Sequence, residues 1–192
     1  KGAKRQDLLE EGIEAIYSES KRMQDLTKQM LELAKSEDII KMEKSHVNIV
    51  GLVDRAAVYM ERASQRKIRI SAEVELLEVP MNEQGIKQLL FIFIDNAIKY
   101  SEKKIDIKIG NASSELYITI QDYGMGIPKE DIPRIFDRFY RVDKDRSRKT
   151  GGTGLGLSIA KRIIDAHGAR VSVESEDGHG TTITIYFHLE GE

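Results

Sequence analysis

The chain contains no cysteine, no long apolar run and no surplus of positive charge. Without cysteine there can be no disulfide framework and no thiolate metal site, and the composition fits a reducing compartment. No apolar stretch approaches the roughly 20 residues needed to cross a bilayer, and no signal peptide is visible. A formal net charge of -2 gives no support for a nucleic-acid partner. What is present is a chain of 192 residues, 40% hydrophobic. That suffices for one core of roughly 150 residues plus an appendage. Lys1 is not a natural start, so a piece of a longer protein is expected.

Residues 1–40 read as one long helix. Leu9, Ile13, Ile16, Ser20, Met23, Thr27, Met30 and Ala34 alternate steps of four and three, the spacing of a narrow bundle seam that needs partner helices. From residue 45 strands and helices alternate. A strand is expected over Val47–Val50, then a helix over Leu52–Arg66. Ile68, Ile70, Ala72 and Val74 read as a strand. Asn82 is placed to cap a helix running to Tyr100. Two strands follow, carrying Ile105, Ile107 and Ile109, then Leu116, Ile118 and Ile120. Pro128 suits the first turn of a short helix. Residues 141–153 read as a long basic and glycine-rich loop, of a length that is usually functional. A helix from Leu155 to His167, stopped by Gly168, precedes strands Val171–Ser175 and Thr182–Leu189. The pattern predicts a two-layer α/β sandwich, with a mixed sheet under helices, preceded by one long helix.

Three places carry candidate chemistry. Asn96 lies on or beside the apolar stripe of its helix. It is either a satisfied core amide or a carbonyl oxygen offered to a hard cation such as Mg²⁺. Asp122 continues the core-facing row Leu116, Ile118, Ile120, so its carboxylate requires donors: backbone amides or a ligand amine. Gly124 and Gly126 follow at steps of two and permit a tight turn. The stretch Gly151-Gly152-Thr153-Gly154-Leu155-Gly156 runs into a helix whose free amides favour an anion. It is not a P-loop, because Leu157 stands where lysine is required, and its glycine spacing is not that of a dinucleotide fold. Arg138, Arg141, Lys144, Arg146, Arg148 and Lys149, just upstream, form either a solvated basic face or a counter-charge for a triphosphate.

Taken in order, these segments resemble the signature boxes of the histidine kinase family. Phe93–Ser101 resembles the asparagine box and Asp122–Pro128 the first glycine box. Ile135–Arg141 resembles the phenylalanine box, Gly152–Ser158 the second glycine box and Gly178–Thr182 the last. The resemblance implies a Bergerat-type ATP-binding catalytic domain over 43–192, with a lid at about 142–153. Residues 1–42 would be one helix of a dimerisation and phosphotransfer hairpin. It further implies that Asn96 holds Mg²⁺ and that Asp122 accepts from the adenine amine. Gly124 and Gly126, with Ile127, would shape the base pocket. Lys99, Tyr100 and Arg141 would contact phosphate or base. Gly152, Thr153, Gly154, Leu155, Gly156 and Leu157 would run along the triphosphate, and Thr181 would support the base. Asn96, Lys99 and Arg141 would be the catalytic group. The implied ligands are ATP and Mg²⁺. The implied partners are a response-regulator receiver domain and a second subunit joined through the hairpin helices. The domain would be cytoplasmic, in a protein anchored to the membrane by segments outside this sequence.

Two departures stand out. Ile92 occupies a position, one helical turn before Asn96, where the family usually has a polar residue. The four histidines, His46, His167, His179 and His188, are followed by Val, Gly, Gly and Leu, whereas the family's acceptor histidine is typically followed by an acid. The chain is therefore expected to bind ATP without phosphorylating itself. Other members of the same ATP-binding superfamily, such as a gyrase-type ATPase or a heat-shock chaperone, and a non-catalytic nucleotide-binding scaffold are the alternatives.

Overall fold

The computed structural model describes residues 9, 11–21, 23–24, 27, 43–73, 77–112, 114–142 and 153–189. The described part of the N-terminal segment is helical, and residues 11–21 form α1. Its seam residues Leu9, Ile13, Ile16 and Met23 are 60%, 65%, 69% and 66% exposed, so none of the described residues covers them. The rest of the expected helix lies outside the described residues.

Two sheets follow. Strands β1 (Ser45–Asn48) and β3 (Glu78–Met81) form a two-stranded antiparallel pair. The main sheet has the order β2-β4-β5-β7-β6. It comprises β2 (Ile68–Ala72), β4 (Ile105–Ala112), β5 (Glu115–Asp122), β6 (Arg170–Glu176) and β7 (Gly180–His188). Only β2 and β4 run parallel. Helices α2 (Ile49–Ser64), α3 (Glu83–Tyr100) and α4 (Gly156–Ala166) complete the mixed α/β sandwich. The central strand alternates half-buried and buried residues along its whole length, as one covered and one open sheet face require. Leu116, Ile118, Ile120, Ile107, Ile109 and Ile185 on the covered face pack with Leu89, Phe93, Ile159 and Ile163 of α3 and α4 in one core.

Several boundaries differ from the sequence reading. The strand expected over Val47–Val50 ends at Asn48, whose side chain accepts from the Gly51 amide at 2.9 Å and caps α2. Ile49 and Val50 thus form the first helical turn. The same helix stops at Ser64, because Gln65 adopts the left-handed conformation at φ 58°. Strand β2 ends at Ala72, and Val74 lies outside the described residues. Strand β3 was not expected; it contains Pro80, which the unpaired edge of a two-stranded pair tolerates. Pro128 does not open a helix: the one helical turn there is a 3-10 turn at Ile132–Arg134, with Pro133 near its start. Its remaining helix and strand ends agree with the reading to within a few residues.

One contact fixes the two site-bearing helices to each other. Asn82 caps α3, accepting from the Gly85 amide at 2.6 Å. The backbone amide of Asn82 donates to Nε2 of His167, just past α4, at 3.1 Å. Nδ1 of His167 lies 2.7 Å from the Ile163 carbonyl. A carbonyl can only accept, so Nδ1 carries the proton and Nε2 is bare. The ring is therefore neutral in this arrangement. Burial lowers the His167 pKa, the Ile163 bond opposes that effect, and Lys44 adds to the lowering.

Because the folded pKa is depressed, the unfolded chain binds more protons at mildly acid pH. The contribution of His167 is then complete above the unfolded value near ~6.5 and declines as pH falls below it. Urea denaturation of the wild type should show stability falling between about pH 7 and 5. His167→Gln should flatten that slope; an unchanged slope would assign the pH dependence to other groups.

Candidate functional site

The covered end of the sheet, the C-terminal half of α3 and the start of α4 enclose a cavity of about 980 Å³. That is the scale of a nucleotide-sized ligand pocket. From α3 it is lined by Asn96, Lys99 and Tyr100; from the end of β5 and the turn after it by Asp122, Gly124, Gly126 and Ile127. Thr181 on β7 closes the same end. Arg141, Thr153, Gly154, Gly156 and Leu157 line the opposite side. The fold thus collects residues that are up to 85 positions apart, from Asn96 to Thr181. Leu155 is the exception among the described candidates: its side chain is 0% exposed and belongs to the core. Gly152, and most of the expected lid with Lys144, Arg146, Arg148 and Lys149, lie outside the described residues. Arg138 is exposed and does not line the cavity.

Asp122 is the buried charge of the site, 8% exposed. Its Oδ1 accepts from the Gly124 amide at 2.8 Å. Burial pushes its pKa above the ordinary carboxylate value, while the amides of Gly124 and Thr181 pull the other way. No lysine or arginine pairs with it among the described ion pairs, so a donor from a ligand would complete it. The turn that supplies the Gly124 amide is set by Gly126, whereas Thr181 is the cross-strand partner of Asp122 on β7. Gly126 has φ +74°, and a Cβ there would lie 1.9 Å from the Glu176 carbonyl oxygen, so no other residue fits. The turn is tied to the β6–β7 hairpin, with Gly178 N donating to Met125 O at 2.6 Å.

At the other end, α4 starts at Gly156 with no side-chain cap, its N-cap being Leu155. Its first-turn amides are therefore free to meet an anion. Thr153, 8% exposed, holds its Oγ1 in the cavity wall without a hydrogen-bond partner, a buried polar atom that a ligand oxygen would satisfy. The two flanks of the expected lid meet here. Phe139 N donates to Gly154 O at 2.9 Å, and both residues have positive φ, 63° and 76°. Phe139 is non-glycine and 53% exposed, so the closure of this loop carries backbone strain. Tyr140 beside it is held by Asp131, and the Arg134 guanidinium lies 4.3 Å from the Tyr140 ring centre.

Lys99 bridges to Asp95 at 2.6 Å with both side chains part-exposed, 32% and 44%. Such a pair contributes ~0.2–1 kcal/mol, so Lys99 can exchange Asp95 for a phosphate at little cost. Asn96 is half-buried on the cavity wall and forms no side-chain hydrogen bond among the described residues. Among those residues no three His, Asp or Glu side chains converge as a metal cage. A hard cation would thus take its ligands from Asn96, from water and from the bound phosphates. Ile92 also lines the cavity, and a Cβ at Gly156 would lie 3.5 Å from its Cγ2.

Residues 81–191 match the family described as histidine kinase-, DNA gyrase B- and HSP90-like ATPases. The chain belongs to this family. Its domain binds ATP, and the cavity presents a buried carboxylate and the uncapped amides of a helix start. The chain is 46% identical over 186 residues to the sensor histidine kinase YkoH of Bacillus subtilis, covering 97% of this chain and 41% of that protein. It is 40% identical over 192 residues to the signal transduction histidine-protein kinase ArlS of Staphylococcus aureus, covering 97% of this chain and 42% of that protein. It therefore spans about two fifths of the length of these curated relatives. Among solved structures, the catalytic domain of histidine kinase ThkA superposes with a TM-score of 0.66 at 26% identity, covering 77% of this chain and 96% of that one.

Sequence reasoning missed Ser175. Its hydroxyl accepts from Ile127 N at 2.8 Å and lies 2.8 Å from Gly180 O and 2.9 Å from Thr181 Oγ1. Strand parity could have found it, since Ser175 shares the inward set of Val171 and Val173.

Two outcomes test this geometry. Asp122→Asn should weaken ATP binding by about 5- to 150-fold in calorimetry, the cost of one mismatched buried hydrogen bond of ~1–3 kcal/mol. Unchanged affinity would make Asp122 a structural residue. Gly126→Ala should lower the urea midpoint by an amount equivalent to about 1–3 kcal/mol, because both its φ and the Glu176 carbonyl oppose a side chain; a midpoint equal to wild type would refute the assigned turn.

Proposed function

We propose that this chain is the ATP-binding catalytic part of a sensor histidine protein kinase. It transfers the γ-phosphoryl group of ATP to a histidine on a hairpin helix outside this sequence, for relay to a response-regulator aspartate. The observation that carries the reading is the polarity of the cavity. Asp122 and Thr181 close one end, and Thr153, Gly154 and the start of α4 form the other. A purine amine and a triphosphate have matching chemistry at matching ends. The high similarity to proteins named as sensor histidine kinases supports it further.

In this mechanism Asp122 orients the base by accepting from its amine. Lys99 and Arg141 face the phosphates, Lys99 leaving Asp95 to do so, and Tyr100 packs beside them. The amides at the start of α4 and the hydroxyl of Thr153 hold phosphate oxygens. Gly152, Gly154, Gly156 and Leu157 let the chain pass close to the triphosphate. Asn96 would hold Mg²⁺, which supplies charge neutralisation between phosphate oxygens. The chain's own contribution is positioning and exclusion of water, the terms that dominate phosphoryl transfer. Residues 1–42 belong to the dimerisation hairpin and 43–192 to the catalytic domain, with the lid at about 142–153. The exposed seam of α1 supports pairing with other hairpin helices in a homodimer. No described helix is long and apolar enough to cross a membrane; anchoring of the whole protein belongs to segments outside this sequence, with this domain on the cytoplasmic side.

None of the four histidines suits the acceptor role. His167 is committed to Asn82 and Ile163, and His46 and His188 lie on strands. His179 sits in the β6–β7 turn beside Gly180. Incubation with labelled ATP and Mg²⁺ should leave this chain unlabelled, while a supplied hairpin domain carrying the acceptor histidine should gain acid-labile phosphate. Stoichiometric phosphohistidine on this chain would refute the missing-acceptor reading. Rapid ATP hydrolysis without any acceptor would favour a gyrase-type ATPase, and absence of ATP binding with or without Mg²⁺ would favour a scaffold in which Ile92 has compromised the site.

A further inference from the structure

Behind Thr181, at the Asp122 end of the cavity, lies a hydroxyl whose direction is fully determined. Ser175 has one proton and two lone pairs to offer. Ile127 N–H donates to it at 2.8 Å, which uses one lone pair. The Gly180 carbonyl oxygen, 2.8 Å away, can only accept, so it takes the proton. Thr181 Oγ1 stands 2.9 Å from the same oxygen. With its proton spent, Ser175 can meet Thr181 only as an acceptor, and the Thr181 hydroxyl must donate to it. Thr181 is 8% exposed, lines the cavity and is the cross-strand partner of Asp122. Its own proton being committed, Thr181 offers the cavity nothing but lone pairs.

We propose that Ser175 is a positioning residue that sets base specificity: by holding the Thr181 proton it makes the base end of the site acceptor-only. Asp122 and Thr181 then form a two-acceptor edge that selects a nucleotide base presenting an amine and disfavours one presenting a carbonyl or a bare ring edge. Ser175 acts without touching the ligand. It also binds the turn containing Ile127 to the β6–β7 hairpin containing Gly180, so the two walls that carry Asp122 and Thr181 keep one spacing. A free threonine hydroxyl would rotate to donate or accept as the ligand required, and would discriminate poorly. Ser175 lies outside every segment by which the family resemblance was drawn, and nothing in the composition of β6 marks it. The inference rests on the ATP-site reading above.

The experiment compares two nucleotides on this chain by calorimetry: ATP and purine riboside 5′-triphosphate, which lacks only the 6-amino group. Wild type should favour ATP. Ser175→Ala should reduce the ATP-to-purine affinity ratio by about five- to ten-fold, the equivalent of one hydrogen bond, because the released Thr181 hydroxyl can then donate to the bare ring nitrogen. Ser175→Thr, which keeps a hydroxyl, should restore the ratio. Thr181→Val should lower the ratio by a similar factor, and adding Ser175→Ala to it should change the ratio by less than about two-fold, since the two act as one unit. Equal losses for both nucleotides in Ser175→Ala would show a purely structural role and overturn the proposal, as would a further large fall in the double variant. Failure of wild type to bind either nucleotide would overturn the ATP-site reading itself, and the proposal with it. Melting curves on each variant identify a misfolded Ser175→Ala, in which case the Thr181→Val and Ser175→Thr ratios decide: a normal ratio in Thr181→Val or a fallen one in Ser175→Thr overturns the proposal.

Discussion

A carboxylate at the end of the core-facing row of the central strand constrains the whole site. Asp122 follows Leu116, Ile118 and Ile120 with the same parity, so burial of the row carries the charge inward with it. The cost of an unsatisfied buried carboxylate is large enough to shape its surroundings. The chain meets it with amides, one from Gly124 and one from Thr181. Both depend on backbone geometry: the first on the turn that Gly126 permits, the second on the β5–β7 register that sets Thr181 opposite Asp122. The geometry at this end of the cavity is thus a consequence of satisfying one residue, and on the proposed reading the remainder of its hydrogen-bonding capacity would accept from a ligand amine.

The phosphate end follows a different logic. Nothing there needs a buried charge of its own. An uncapped helix start, a partnerless threonine hydroxyl and cations from α3 and the loop flank create a site for negative charge without a fixed positive cage. On the proposed reading a cation would come with the ligand, and Asn96 would offer it a neutral oxygen. The hydrogen bond from Phe139 to Gly154, both at positive φ, holds residues 139 and 154 together beside the start of α4. His167, through Asn82, fixes α4 against α3 at their far ends. The two helices that line the cavity are thereby tied to each other.

Much of this was legible in the residues. The alternation Leu116, Ile118, Ile120, Asp122 placed the carboxylate correctly, and Asn82 announced the start of α3. Other features were not. The short strand β3 was not read at all, and it contains Pro80, which lacks an N–H and is tolerated because the two-stranded pair has an unpaired edge. Ile49 and Val50 were read as the end of a strand when they form the first turn of a helix; Asn48 is both the last residue of β1 and the cap of α2. Leu155 sits among glycines that line the cavity, yet its own side chain turns into the core, since consecutive residues at a helix entry point in different directions. Pro128 and Pro133 both suit a helix start, and only the packing of Ile135 into the interior chose the second.

By itself the sequence determined the class of fold, the position of the buried acid, the uncapped glycine-rich helix start and the family, because those depend on local period, on turn chemistry and on the order of short segments. Tertiary structure alone decided which of these meet. The pairing of β7 between β5 and β6 brings Thr181 to Asp122 and Ser175 to Thr181, and a hydrogen bond's direction depends on all its neighbours at once. No linear pattern states that a serine proton is already spent. That is settled only when the Gly180 carbonyl and the Thr181 hydroxyl of β7 and the Ile127 amide of a separate turn close around the same oxygen.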